Sequence, residues 1–132
     1  MIAIVDDDLG MREAIAGLLR SLGHATESYA SAEAFLLSPY EQRTTCLILD
    51  VALPGLSGPQ LQQHLARRGL HIPIIFISAH ADFAEHVQAL TSDSPADFLS
   101  KPFTEEQLLR ALAAALSRRA AEATRRESPS VR

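Results

Sequence analysis

Ile2, Ala3, Ile4 and Val5 form an unbroken apolar run that stops at three acids, Asp6, Asp7 and Asp8. A short run without alternation suits a strand buried on both faces. From Leu9 the period changes: Met11, Ile15, Leu18, Leu19 and Leu22 recur at helical spacing, and Gly23 stands where a helix ends in a left-handed residue. Residues 25–29 read as a weaker strand, and Ser31 as the N-cap of a short helix carrying Ala34, Phe35 and Leu37. A second apolar run over 46–49 ends in Asp50 and leads into Pro54, Gly55, Ser57 and Gly58, where neither element can continue. The pattern then predicts a helix over 59–68, a strand over 74–77 that ends at Ser78, and a helix carrying Phe83, Val87 and Leu90. A short strand over 97–100 follows. Thr104 and Gln107 form a capping box for a last helix with Leu108, Leu109, Leu112 and Leu116 on its inner face.

Five strands alternating with five helices predict an α/β fold: a doubly wound, five-stranded parallel sheet with helices on both faces. The 132 residues suit one domain large enough to bury a core without disulfides. The lone Cys46 excludes an internal bridge and a cysteine-based zinc cluster, and no apolar stretch is long enough to span a membrane. The N-terminus has no secretory pattern, so a cytoplasmic protein is expected.

Charge adds a boundary. Residues 117–132 hold Arg118, Arg119, Arg125, Arg126 and Arg132 against Glu122 and Glu127, a balance of +3 in a chain of net −4, which leaves −7 on the rest. An acidic body argues against nucleic-acid binding by this domain, and the arginines read as a solvated helix end. The expected division is a domain over 1–118 and a polar tail or linker over 119–132.

In doubly wound sheets, ligands bind beyond the carboxyl ends of the strands. Each strong strand here delivers a reactive side chain to that edge: Asp6 and Asp7, then Asp50, then Ser78, and Lys101 after the last. Clustered carboxylates repel, and a divalent cation is the usual remedy; with oxygen donors only, Mg²⁺ is the natural choice. Asp50, ending a buried strand before a loop, is placed to act as a nucleophile toward phosphorus. Lys101 and the Ser78 hydroxyl could neutralise and hydrogen-bond the phosphoryl oxygens. Singly, each residue also has a plainer reading: a polar turn and helix cap for the acids, a snorkelling lysine, a strand-end hydroxyl.

Four motifs, Val5-Asp6-Asp7-Asp8, Leu49-Asp50 with Leu53-Pro54-Gly55-Leu56-Ser57-Gly58, Ile77-Ser78-Ala79-His80 and Phe98-Leu99-Ser100-Lys101-Pro102-Phe103, occur in order. Together they resemble the signatures of response-regulator receiver domains of two-component signalling, with the flavodoxin-like (βα)5 fold. The likeness is to receivers that precede LuxR-type DNA-binding domains, of the nitrogen-fixation regulator kind. It implies a signalling domain that accepts a phosphoryl group on Asp50 from a histidine kinase or histidine phosphotransfer protein, and whose only catalysis is its own phosphorylation and dephosphorylation. Asp7 would ligate Mg²⁺ directly, Asp6 through water, Asp50 by its carboxylate and Ala52 by its backbone carbonyl. Ser78 and Lys101 would contact the phosphoryl group, Ser78 and Phe98 would form the switch, and the Lys101–Pro102 bond would be cis. A missing C-terminal DNA-binding domain and a phosphorylation-dependent homodimer are further implications.

The segment over 91–96 departs from the family's Ala-Gly-Ala-like stretch and is about one residue longer, which bears on the signalling and dimerising face. His80 lies two residues past Ser78, where it could tune phosphoryl lifetime, or be a solvated loop histidine. Two competing functions remain: a phosphohydrolase of the haloacid-dehalogenase type, and an interaction module that keeps the fold without using phosphate. Ala52 counts against the first, because such hydrolases place an acid/base Asp two residues beyond the nucleophile.

Overall fold

The structure, a computed structural model, describes residues 1–79 and 96–127. Its elements in order are β1 (Ile2–Val5), α1 (Leu9–Ser21), β2 (Thr26–Tyr29), α2 (Ala32–Leu36), a 3₁₀ turn (Glu41–Arg43), β3 (Cys46–Asp50), α3 (Gly58–Arg67), β4 (Ile74–Ser78), β5 (Ala96–Ser100) and α4 (Glu105–Glu127). The helix expected around Phe83, Val87 and Leu90, together with His80 and residues 91–95, lies outside the described residues.

All five strands pair in parallel in the order β2-β1-β3-β4-β5, as the α/β expectation requires. The apolar runs are central for a visible reason: every residue of β1, β3 and β4 is buried, with side chains alternating between two cores. Ala3, Val5, Leu47, Leu49 and Phe76 meet Phe35 of α2 and Leu61 and Leu65 of α3. On the other face Ile2, Ile4, Ile48, Ile75 and Ile77 meet Ile15 and Leu19 of α1 and Leu108, Leu112 and Ala115 of α4. The weaker strand, β2, is an edge strand whose central residues Glu27 and Ser28 are exposed, which accounts for its poor apolar signal.

Caps set the helix starts. Asp8 accepts from the Gly10 amide at 3.0 Å, Ser31 from Ala34 at 3.1 Å, and Ser57 and Thr104 each form the reciprocal box with a glutamine three residues on. Leu22 and Leu37, placed by the sequence pattern in α1 and α2, are the C-caps of these helices and are 51% and 87% exposed. Gly23 takes φ +92° just beyond α1, the left-handed turn its position predicts. The last helix continues past residue 118 to Glu127, and Arg118 pairs with Asp97 of β5 at 2.8 Å.

Candidate functional site

The chain runs from β1 outward to β2 and returns on the other side of β1 as β3, so successive connections diverge between β1 and β3. A crevice opens there at the carboxyl ends. Asp6 follows β1 and Asp50 closes β3, and both are buried because the strands that carry them are central. Asp7 is exposed. One carboxylate oxygen from each of Asp6, Asp7 and Asp50 lies within 4.8 Å of the others. Three hard oxygen donors this close fit a hard divalent cation, and the donor set is the one Mg²⁺ prefers.

The two buried acids are each held by a specific contact. Asp6 Oδ1 accepts from the Asp8 amide at 2.9 Å, and Asp50 Oδ1 accepts from the Ala52 amide at 3.0 Å. Their other oxygens meet Lys101 Nζ, at 3.0 Å from Asp6 Oδ2 and 3.5 Å from Asp50 Oδ2. Lys101 gets there because β5 pairs alongside β4 and the chain then turns: its amide donates to the Ser78 carbonyl at 2.7 Å, and the Lys101–Pro102 peptide is cis. Ser78, at the end of β4, is buried. Ala52 is exposed at the start of the loop from β3 to α3, and Phe98 packs partly buried against the core beside α2 and α3. The β4–β5 register sets Phe98 against Phe76.

Burial raises the Asp50 carboxyl above its ordinary value; the Ala52 amide opposes this, the Asp6 charge adds to it, and Lys101 opposes it, with a net rise. Burial alone would lower Lys101, but its hydrogen bond to Asp6 and the charges of Asp50 and Asp6 outweigh that and hold it above the ordinary lysine value. The site is a partly dry pair of acids bridged by a cation, open on the side of Asp7.

Two neighbours of this site have contacts that the sequence pattern did not show. Arg12, in the first turn of α1, donates to the Asp6 carbonyl at 2.7 Å and so locks the turn between β1 and α1; its signal was a lone basic residue soon after the acids. Gly58 packs so closely beneath Asp50 that a Cβ there would lie 2.6 Å from the Asp50 carbonyl oxygen. The sequence read that glycine as a loop breaker, and its place under Asp50 shows only once α3 packs on the sheet.

Comparison with known proteins gives a consistent picture. Residues 2–113 match the response regulator receiver domain family. The chain is 45% identical over 118 residues to nodulation protein W of Bradyrhizobium diazoefficiens, covering 89% of this chain and 52% of that protein. Among solved structures, response regulator StyR superposes with a TM-score of 0.84 at 40% identity over 96% of this chain and 64% of that one. FixJ-N does so with a TM-score of 0.76 at 32% identity, over 88% of this chain and 92% of that one. The chain spans about half the length of the curated relatives it matches.

Proposed function

Because this chain belongs to the response regulator receiver domain family, we propose that it takes up a phosphoryl group on Asp50 and passes the change to an output elsewhere. The observation that supports this best is the approach of the Asp6, Asp7 and Asp50 carboxylates within 4.8 Å, with Lys101 Nζ 3.5 Å from the nucleophile candidate. Asp6, Asp7, Asp50 and the Ala52 carbonyl would hold Mg²⁺, which supplies positive charge to the phosphoryl oxygens when bound.

An Asp50 carboxylate oxygen would attack phosphorus in line as the bond to the donor nitrogen or oxygen breaks, leaving an acyl phosphate on Asp50 and the electron pair on the leaving group. Lys101, held against Asp50 before the reaction, would move its charge to a phosphoryl oxygen, and the Ser78 hydroxyl would donate to another. Ser78 and Phe98 are the proposed switch. A histidine kinase or histidine phosphotransfer protein is the proposed donor. The proposed output is a C-terminal DNA-binding domain, in keeping with the share of its relatives' length that the chain covers. The proposed domain occupies 1–118, with 119–132 as linker. The proposed setting is the cytoplasm; no helix among the described residues is long and apolar enough to cross a membrane.

The test is a mass spectrum of the intact chain after incubation with Mg²⁺ and acetyl phosphate, with Asp50→Asn alongside. A phosphoryl adduct on the parent chain and none on the variant is expected. An adduct that persists in the variant removes Asp50 from its role.

A further inference from the structure

The loop between β3 and α3 carries Ala52, whose carbonyl belongs to the proposed metal site; Leu53 anchors it in the core, and Leu56 packs against that core. At its start the Val51 amide donates to the Ile77 carbonyl at 2.9 Å; at its end Ser57 caps α3. Midway, Glu33 reaches across from α2, and its Oε2 accepts from the Leu56 amide at 2.9 Å. A Cβ on Gly55 would lie 2.5 Å from the same oxygen, and Gly55 has φ +75°. The carboxylate therefore sits against the Gly55–Leu56 peptide, so close that a side chain at Gly55 would have to push it aside. Hydrogen bonds from the Leu56 amide and from its own amide hold the Glu33 carboxyl below its ordinary value.

We propose that Glu33 is a positioning residue for the metal site: by tethering the Gly55–Leu56 peptide it holds the loop so that the Ala52 carbonyl stays available beside Asp6, Asp7 and Asp50. The proposal rests on the reading of that cluster as a Mg²⁺ site. Glu33 touches neither metal nor phosphoryl group. It acts through the loop, as groups that orient metal ligands from outside do, and because the contact is solvent-exposed its effect is moderate.

The experiment is a Mg²⁺ titration of the full chain, followed by NMR at the Ala52 amide, for the parent, Glu33→Ala and Glu33→Gln, with thermal unfolding of each. Glu33→Ala is expected to raise the Mg²⁺ Kd about threefold to tenfold. Glu33→Gln, whose amide oxygen can still accept from Leu56, is expected to stay within about twofold of the parent. A Kd that does not move in Glu33→Ala, whatever happens to the melting temperature, overturns the proposal and leaves Glu33 a purely structural contact. So does equal weakening in both variants, which would assign the effect to charge instead of the tether. If the unsubstituted chain takes up no Mg²⁺, the metal-site reading fails together with the proposal, and that failure is recognised because it is already present in the parent. A second cycle checks the geometry: Gly55→Ala is expected to lower the melting temperature less in the Glu33→Ala background than in the parent, because the clash with the carboxylate is gone.

Discussion

Asp50 is in a position that suits reactivity and costs stability. Its carboxyl is held above the ordinary value chiefly by burial, so the folded chain binds that proton more tightly than the unfolded chain does. The stability linked to it is complete below the unfolded pKa and is lost as pH rises through the raised folded value. Asp50→Asn is therefore expected to stabilise the fold at neutral pH while abolishing the phosphoryl adduct. Urea unfolding at pH 7 reads the first effect, and a variant less stable than the parent would show that Lys101 already compensates the charge. Cys46 shows what burial does without a partner of opposite charge in contact: its thiol is pushed up to about 12, burial outweighing the nearby Arg118. In the native chain it is expected to resist a thiol reagent at pH 8 and to react once denaturant is added. The same shift makes stability fall as pH rises between the unfolded thiol value near 9 and the folded value near 12.

Among the elements, the helix starts are decided by capping and the site by what those starts leave room for. Gly58 opens α3 directly beneath Asp50, and the neighbours of an added Cβ are backbone atoms of Asp50 and Val51, which cannot swing aside. Gly58→Ala is expected to destabilise by about 1–3 kcal/mol and to slow acetyl phosphate labelling by displacing Asp50. Gly17, within α1, has nothing within 4 Å of an added Cβ, so Gly17→Ala is expected to stabilise by about 0.5–1 kcal/mol. Paired melting curves decide it; equal effects in the two would mean that the close approach at Gly58 relaxes freely. At α4, loss of the cap in Thr104→Ala is expected to cost about 1 kcal/mol, because the Gln107 amide loses its acceptor.

On the scale of the whole molecule, the sheet collects three acids from two strand ends and leaves Lys101 to balance them. A cation that binds only the folded chain stabilises it by mass action, about 2.7 kcal/mol at a hundred times its Kd. Mg²⁺ is therefore expected to raise the melting temperature of the parent. Asp7→Asn, which removes the exposed acid without disturbing the buried pair, is expected to melt higher than the parent without metal and to respond little to Mg²⁺. A parent whose melting temperature ignores Mg²⁺ would argue for a receiver that does not use the metal.

The chain alone determined the fold class and the edge of the sheet where the acids and Lys101 gather, because strands buried on both faces leave continuous apolar runs and the residues just past them must sit at the strand ends. Asp6, Asp7, Asp50, Ser78 and Lys101 were legible for that reason, and the order of four motifs gave their family. The tertiary structure decided the rest. Strand order places β1 beside β3, a pairing of segments more than forty residues apart that no local pattern encodes. Lys101 meets Asp6 from ninety-five residues away, Glu33 meets Leu56 from twenty-three, and Gly58 lies beneath Asp50 only once α3 packs on its face of the sheet. Leu22 and Leu37 carried the helical period yet lie exposed, since periodicity marks a face but not the turn at which the helix ends. Short-range spacing sets which side chains share a surface; close approach between distant segments is set by packing, and there the acidic cluster and its supports arise.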